Sequence, residues 1–291
     1  MVAGRKSAIE RFAGAVTTYT IEAMMGDGRA LQAGTSHNLG TNFAVAFGTR
    51  YAAPDGELLP VHQTSWGMST RMVGGIVMAH GDDAGLRFPP AVAPVQAVFV
   101  PIVKKGADAA AVEGAVAAAA AAKAAGLRVK VDATEGKTPG WKYAHWEMKG
   151  VPVRVEVGPR DVAAGACVLV RRDKARGENK VMGVPLTDTA AFVGALTALL
   201  DDVQASMLAQ ATAFRDGRIV DVASYDELKA VVADGRWARG RWAGSDDDER
   251  RVKEETGATL RCFPFEQPGG EGPCLLTGAG AGEVAVFARA Y

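Results

Sequence analysis

The feature of this chain that most limits its fold is a strand-to-helix junction rich in small residues, TSWGMSTRMVGG (residues 64–75). The residues before Gly67 predict a strand, and the small residues after Arg71 predict a helix packed closely against a sheet. Arg71 follows Gly67, Ser69 and Thr70, so its guanidinium would lie at the start of that helix, where phosphate binding is favoured. The junction therefore indicates a mixed α/β fold with a nucleotide site.

A second stretch, LQAGTSHNLG (residues 31–40), has the same character. Small residues flank three polar side chains, Gln32, Thr35 and His37, and let a ligand approach the backbone closely. Thr35 and His37 are two residues apart, so in an extended strand both face one side. Such polar groups can hold a phosphate, an amine or a carboxylate. The two stretches together predict one binding site near the amino end.

Composition excludes several classes of protein. The 33 basic residues equal the 33 acidic residues, so any RNA-binding surface has to be a local patch. The three cysteines, Cys167, Cys262 and Cys274, are odd in number and widely spaced, which argues against a disulfide framework. The opening MVAGRKSAIERF lacks the apolar core of a secretion signal, and no run predicts a membrane span. We expect a cytoplasmic protein with no membrane partner.

Residue patterns predict alternating strands and helices along the chain. Strands are expected over 12–25, 61–66, 97–103, 128–132, 151–157, 166–170 and 284–288, and near residue 260. Helices are expected over 41–47, 68–80, 107–125, 187–215, 224–234 and 246–255, and a turn-rich loop over 51–60. Prolines at 89, 90 and 94 mark a domain boundary. The middle segment, with a strand, a helix, three strands and a helix, predicts a small α/β sandwich.

Several blocks resemble the prolyl-tRNA synthetase family, in its archaeal and eukaryote-like branch. They are FAGAVTTYTIEAMMGDGRALQAGTSHNLGTNFAVAF (12–47), QTSWGMSTRMVGGIVMAHGDDAGLRFPPAVAPVQ (63–96), GVPVRVEVGPRD (150–161) and the terminal VFARAY. The second block is similar to the third signature motif of class II synthetases, in which a strand leads into a helix that carries an ATP-binding arginine. The blocks occur in collinear order over nearly the whole chain.

This resemblance implies a fold class of α+β or α/β with three domains. Residues 1–92 would be the C-terminal part of a class II antiparallel-sheet catalytic domain, and 93–216 an α/β anticodon-binding domain with a mixed sheet. Residues 217–291 would be a small α/β C-terminal domain. The chain begins after the family's first and second motifs, so we expect a fragment. A partner supplying the missing part and a degenerate relative are the alternatives.

The resemblance also implies roles for individual residues. The catalytic residues would be Arg71, His37 and Thr35, and the ATP-binding residues Gln32, Thr35 and Arg71, with Arg71 on the γ-phosphate. The proline pocket would be lined by Phe12, His37, Ser65, Trp66 and Gly67. The tRNA anticodon would be contacted by Arg154, Glu156 and Arg160, since charged groups can read base edges or phosphates. For each of these last three, a solvated surface charge is the alternative interpretation.

The expected function is that of a proline–tRNA ligase, which uses ATP with Mg²⁺, proline and tRNA(Pro) and is a homodimer when complete. The alternative is a catalytically inactive synthetase-like module that binds tRNA or proline, and a weaker third option is a proline sensor. Zinc is not expected, because Ala243, Asp248 and Thr277 stand where the family's metal-binding cysteines occur, beside a single Cys274.

Overall fold

The computed structural model describes residues 1–103 and 109–291 of the protein. They form two compact units, one of residues 1–79 and 212–291 and the other of residues 80–211. The expected division into three domains stays a prediction. The contacts place residues of the expected first and third domains in one unit, because a single sheet takes strands from both. The first residues of the helix predicted over 107–125 lie outside the described residues.

The regular elements follow the predicted alternation. The strands are β1 Val2–Arg5, β2 Thr17–Met24, β3 Ala30–Gly40, β4 Arg50–Ala52, β5 Leu58–Pro60, β6 Gln63–Gly67, β7 Ala97–Pro101, β8 Val129–Val131, β9 Val153–Val157, β10 Ala166–Arg171, β11 Lys180–Pro185, β12 Ile219–Asp221, β13 Trp237–Arg241, β14 Thr259–Pro264, β15 Gly272–Pro273, β16 Gly280–Ala281 and β17 Val284–Ala288. The helices are α1 Asn42–Phe47, α2 Arg71–His80, α3 Ala109–Ala124, α4 Pro139–Met148, α5 Pro159–Ala163, α6 Thr189–Asp216, α7 Tyr225–Ala233 and α8 Asp246–Thr256.

The first unit is built on an eight-stranded sheet in the order β12-β13-β17-β14-β1-β2-β3-β6. Strand β1 joins the amino-terminal strands to the carboxyl-terminal ones by pairing antiparallel with both β2 and β14. A Cβ atom on Gly4 would lie 2.3 Å from the carbonyl oxygen of Phe263, so the absence of a side chain allows this close approach. Buried side chains of the unit include those of Leu228, Trp237, Val252, Leu260 and Phe287.

The second unit contains a mixed five-stranded sheet in the order β11-β10-β9-β7-β8. Strand β7 pairs in parallel with β8 and β9, whereas β10 pairs antiparallel with β9 and β11. The expected α/β architecture with a mixed sheet is therefore confirmed. Helix α4 was not predicted. It begins at Thr138, whose side-chain oxygen accepts the Trp141 N–H, with Pro139 as the first helical residue.

Helix α6 is long and apolar enough to cross a membrane, judged by length and composition alone. A core helix passes the same test, and a single such helix is weak support for a membrane span. Five of its side chains, spaced three or four residues apart, are buried in one cluster with the sheet residues Phe99 and Leu169. They are Phe192, Leu196, Leu200, Val203 and Met207.

Candidate functional site

Strand β3 carries three of the predicted site residues on one face. Strand β2 pairs Thr20 with Thr35 and Thr18 with His37 in an antiparallel register. Directly opposed residues of a ladder have their side chains on the same face. The side chains of Thr35 and His37 therefore lie on the same face of the sheet as those of Thr18 and Thr20. Gln32 lies on this face too, although the regular alternation of a strand would not place it there.

A β-bulge brings Gln32 onto that face. Gln32 and Thr35 are three residues apart, so a regular strand would direct them to opposite sides. The register shifts between Ile21 and Glu22, and Ala33 is the extra residue on the longer strand. Glu22 then opposes Gln32, on the same face of β2 as Thr20. One inserted residue thus assembles the polar face.

Strand β6 completes this face at the edge of the sheet. It pairs Ser65 with His37 and Gly67 with Thr35, so Ser65 lies beside the imidazole and Gly67 leaves space beside the threonine. Trp66 pairs instead with Ser36 and points to the opposite face, because neighbouring residues of a strand alternate. The expectation that Trp66 lines one pocket with His37 is thereby corrected. The indole is 77% exposed.

Trp66 lies on the other side of the sheet, in a shallow apolar groove that it forms with Tyr19, Met68 and Phe265. All four side chains are more than two-fifths exposed. This groove and the polar face use opposite sides of the same strands, so they are separate features of the unit.

Phe12 and His37 are adjacent although they are far apart in the sequence. Their ring centroids are 4.8 Å apart. The Phe12 N–H donates to the Thr18 hydroxyl at 3.2 Å, and that hydroxyl lies 2.9 Å from Nδ1 of His37. On its other side, Phe12 stacks on Phe43 of α1 with centroids 6.2 Å apart. The Phe12 ring is half exposed, so it can contact a ligand at this face.

Arg71 is the first residue of α2 and is exposed. Its backbone N–H donates to the Ser69 hydroxyl at 3.3 Å, which fixes the turn between β6 and the helix. Chain geometry holds its Cα within about 14 Å of Gly67, the residue opposite Thr35. Within the described parts of the chain its guanidinium makes no ion pair. A cation at a helix start near the polar face suits an anionic group.

The second unit contains a groove of about 320 Å³ next to strand β9. Among the described residues that line it, Glu147 is the only acidic one, and Tyr143 supplies an aromatic surface. Six basic side chains also line it, those of Arg154, Arg171, Arg172, Lys174, Arg176 and Lys180. Such a surface attracts phosphate groups and offers stacking to a base. Tyr143, Glu147 and Lys180 were not predicted from the sequence, because no local pattern distinguishes them.

Arg154 and Glu156 share one face of β9 and are paired with each other rather than solvated. An Nη2 atom of Arg154 lies 2.9 Å from Oε1 of Glu156, and the guanidinium lies 4.0 Å from the centre of the Tyr143 ring. Lys180 approaches the second carboxylate oxygen at 3.8 Å. Burial, followed by the Glu156 charge, raises the pKa of Tyr143 to about 12, so its phenol keeps its proton. Arg160 lies on α5, is exposed and does not line the groove.

The residues at the positions of the family's metal-binding cysteines make other contacts in this chain. In the described chain, no group of three or more His, Cys, Asp or Glu residues could hold a metal ion. Burial tends to raise the pKa of the Cys274 thiol, but hydrogen bonds from Thr277 and from the backbone of Ala243 outweigh it and lower the pKa. The Asp248 carboxylate caps α8 by accepting from Ser245. The Cys274 thiol is therefore hydrogen-bonded to Thr277 and to the backbone, and the Asp248 carboxylate is hydrogen-bonded at the start of a helix.

Comparison with known proteins gives matches over the whole chain. Residues 96–196 match the family described as "Anticodon binding domain", and residues 225–291 match "Prolyl-tRNA synthetase, C-terminal". The chloroplastic/mitochondrial proline–tRNA ligase of Arabidopsis thaliana is 55% identical over 295 residues, which cover 100% of this chain and 54% of that protein. The proline–tRNA ligase of Roseiflexus sp. (strain RS-1) is 47% identical over 294 residues, covering 100% of this chain and 60% of that protein.

Solved structures agree with these matches. The crystal structure of prolyl-tRNA synthetase from Cryptosporidium parvum complexed with L-proline and AMP superposes with a TM-score of 0.91 at 34% identity. It covers 100% of this chain and 61% of that one. The chain thus spans a little over half of the length of the relatives that it matches.

Proposed function

Since the chain belongs to the prolyl-tRNA synthetase family, we propose that it works in ATP-dependent activation of proline and its transfer to tRNA(Pro). The observation that carries the proposal is the polar face of Gln32, Thr35, His37 and Ser65, beside the start of α2 with Arg71. The Cryptosporidium parvum relative was solved with L-proline and AMP, which are the two ligands that such a face would hold.

In this reaction the bonds are made and broken between the substrates, and the protein itself contributes little covalent chemistry. The carboxylate of proline attacks the α-phosphate of ATP and expels pyrophosphate, and the terminal ribose of the tRNA then attacks the adenylate. The protein has to orient the reactants and neutralise phosphate charge. Arg71 would hold the γ-phosphate with its planar donors, whereas Gln32 and Thr35 would bind the nucleotide. Mg²⁺ would enter with the ATP phosphates.

Proline would bind at the end of the face where Phe12 and His37 meet. The Phe12 ring offers an apolar wall for the pyrrolidine, and His37 and Ser65 offer polar contacts. Gly67 leaves the backbone open to close approach by the substrate. Trp66 has no part in this pocket because it lies on the opposite face.

The anticodon of tRNA(Pro) would bind in the basic groove of the second unit. The Arg154–Glu156 pair is rigid, since it is partly buried and supported by Tyr143 and Lys180. Arg154 lines the groove, and Glu156, which is 6% exposed, fixes its guanidinium, so that the remaining donors of Arg154 would contact a base edge or a phosphate and Glu156 would contribute to recognition through it. Arg160 is exposed on α5 and would contact a phosphate or a base near the groove.

The second candidate function is tRNA binding without catalysis. It is favoured by one observation: every residue that lines the basic groove belongs to the second unit, so this site needs nothing from the rest of the enzyme. The polar face of the first unit would then be a remnant that makes no adenylate.

Proline-dependent exchange of pyrophosphate into ATP separates the two functions. We expect exchange when the chain is combined with the segment of a relative that it does not span. No exchange in that mixture, together with intact tRNA binding in a filter assay, would establish the binding module and refute the ligase.

Oligomeric state and compartment complete the proposal. We propose a homodimer for the complete enzyme, which sedimentation equilibrium would show as twice the monomer mass. We propose the cytoplasm as its compartment. The Arabidopsis thaliana relative is named chloroplastic/mitochondrial, so organellar signal from a tagged protein in its native cell would refute this.

A further inference from the structure

The Thr18 side chain lies within hydrogen-bonding distance of both Phe12 and His37. Thr18 is on β2 and only 1% exposed. Its hydroxyl oxygen accepts the Phe12 N–H at 3.2 Å and lies 2.9 Å from Nδ1 of His37. One buried hydroxyl therefore holds two residues that come from separate parts of the chain.

The number of protons fixes the direction of the second hydrogen bond. A threonine hydroxyl has one proton to donate and two lone pairs that can accept. One lone pair receives the Phe12 N–H. Among residues 1–103 and 109–291, Nδ1 of His37 is the one acceptor within hydrogen-bonding distance of the Thr18 hydroxyl. The hydroxyl proton therefore belongs to that bond.

The opposite arrangement has a physical cost. If Nδ1 carried a proton and donated to the hydroxyl, the oxygen would accept two hydrogen bonds and its own proton would be buried without an acceptor. An unpaired buried donor loses its hydration without compensation. The arrangement in which Thr18 donates satisfies every polar atom of the contact.

We propose that Thr18 is a positioning residue that fixes His37 as the neutral tautomer with its proton on Nε2. Nε2 has no hydrogen-bond partner in the described part of the chain. It is then a donor available to an oxygen acceptor of the ligand, a carboxylate or a carbonyl. The packing of the Phe12 ring against the imidazole limits rotation of the ring. The nature of the acceptor rests on the proposed function, whereas the tautomer does not.

The tautomer is tested by ¹⁵N NMR of the full chain with labelled histidine. The chain has four histidines, and the His37 signals are identified by their loss in His37→Asn. At a pH where the ring is neutral, we expect a pyrrole-type Nε2 and a pyridine-type Nδ1 for wild type and for Thr18→Ser. Thr18→Val removes the donor, so we expect a mixture of both tautomers. A protonated Nδ1 in the wild-type spectrum, which requires no variant to fold, overturns the proposal.

Ligand binding tests what the tautomer does. The probe is a sulfamoyl analogue of prolyl-adenylate that cannot be hydrolysed, and calorimetry measures its affinity for the chain combined with the segment of a relative that it does not span. Thr18→Val should weaken binding by the reciprocal of the fraction of molecules that keep the Nε2–H tautomer in its NMR spectrum, which is about twofold for an equal mixture. Thr18→Ser keeps the donor and should bind as tightly as wild type. Equal affinity for the valine variant, with its tautomer changed, overturns the role of Nε2–H as a ligand donor.

The two readouts keep this inference apart from the proposed function. If wild type shows the Nε2–H tautomer but does not bind the analogue, the assignment of the site fails and the role of Thr18 in fixing the tautomer holds. If wild type binds but shows Nδ1–H, the site holds and the role of Thr18 fails.

Discussion

Glu249 is expected to destabilise the first unit at neutral pH, so its replacement by glutamine should stabilise the protein. Glu249 is in the first turn of α8, and only 4% of it is exposed. The Ser7 hydroxyl donates to its Oε1 atom at 2.9 Å. Burial raises the pKa of Glu249 to about 7. The Ser7 hydrogen bond opposes this shift, and the nearby charges of Glu10 and Asp246 add to it.

The sign and size of the effect follow from this pKa. A carboxyl whose pKa is raised on folding contributes stability below its unfolded value of 4.5, and that contribution is lost as the pH rises through about 7. Compared with a side chain that cannot ionise, Glu249 lowers the free energy of unfolding by about 3 kcal/mol near pH 8 and by about 1 kcal/mol near pH 5.5. The side chain of Glu249→Gln keeps the shape and an oxygen that can accept from Ser7, but it cannot ionise. The variant should therefore gain stability that grows with pH.

Urea unfolding measured near pH 5.5 and near pH 8 tests this prediction. Hydrogen exchange of the amides of β14, which packs beside α8, reports on the first unit separately. Glu254→Gln is the matched control, because Glu254 lies exposed on the same helix, and its effect should be small and equal at both pH values. If Glu249→Gln gives no more stability near pH 8 than near pH 5.5, the assigned pKa and its cause are wrong.

Three further predictions concern other charged residues. Burial tends to raise the pKa of Glu22, but Lys6 and Arg261 outweigh it and lower the pKa, so Glu22→Gln should cost about 3 to 5 kcal/mol near pH 7 in the same urea assay; an unchanged midpoint contradicts this. Arg71→Ala should raise the ATP concentration needed for pyrophosphate exchange at least about tenfold and leave tRNA binding intact, and unchanged ATP kinetics would remove its role. Glu156→Ala should reduce the preference for tRNA(Pro) over other tRNAs about tenfold in filter binding. An unaltered preference would exclude Glu156 from recognition.

Local sequence patterns predicted most of the regular elements. The predicted helices over 41–47, 187–215, 224–234 and 246–255 are confirmed as α1, α6, α7 and α8, with ends shifted by at most two residues. Ser224 caps α7 by accepting the Glu227 N–H, and a serine three residues before a glutamate is a capping pattern that is visible in the sequence. These features depend on residues within one or two turns of each other, so the sequence contains the information that they need.

Elements without a strong local pattern were missed or misread. The turn-rich segment over 51–60 is a hairpin of β4 and β5. Helix α4 and strands β1, β11, β12 and β13 have too few periodic apolar residues, or are too short, for local propensity to identify them. Their stability comes from neighbours in the fold. Strand β1, for example, pairs with a strand about 260 residues further along the chain.

The sequence by itself determined which residues have the chemistry for the site, and the resemblance to a family followed from them. The tertiary structure decided how they are arranged. The bulge at Ala33 places Gln32 beside Thr35, the β6 register turns Trp66 away from His37, and the buried Thr18 hydroxyl orients the imidazole. The physical reason is that the face a strand residue occupies depends on pairing with distant strands, and one inserted residue reverses it. No local pattern contains that register.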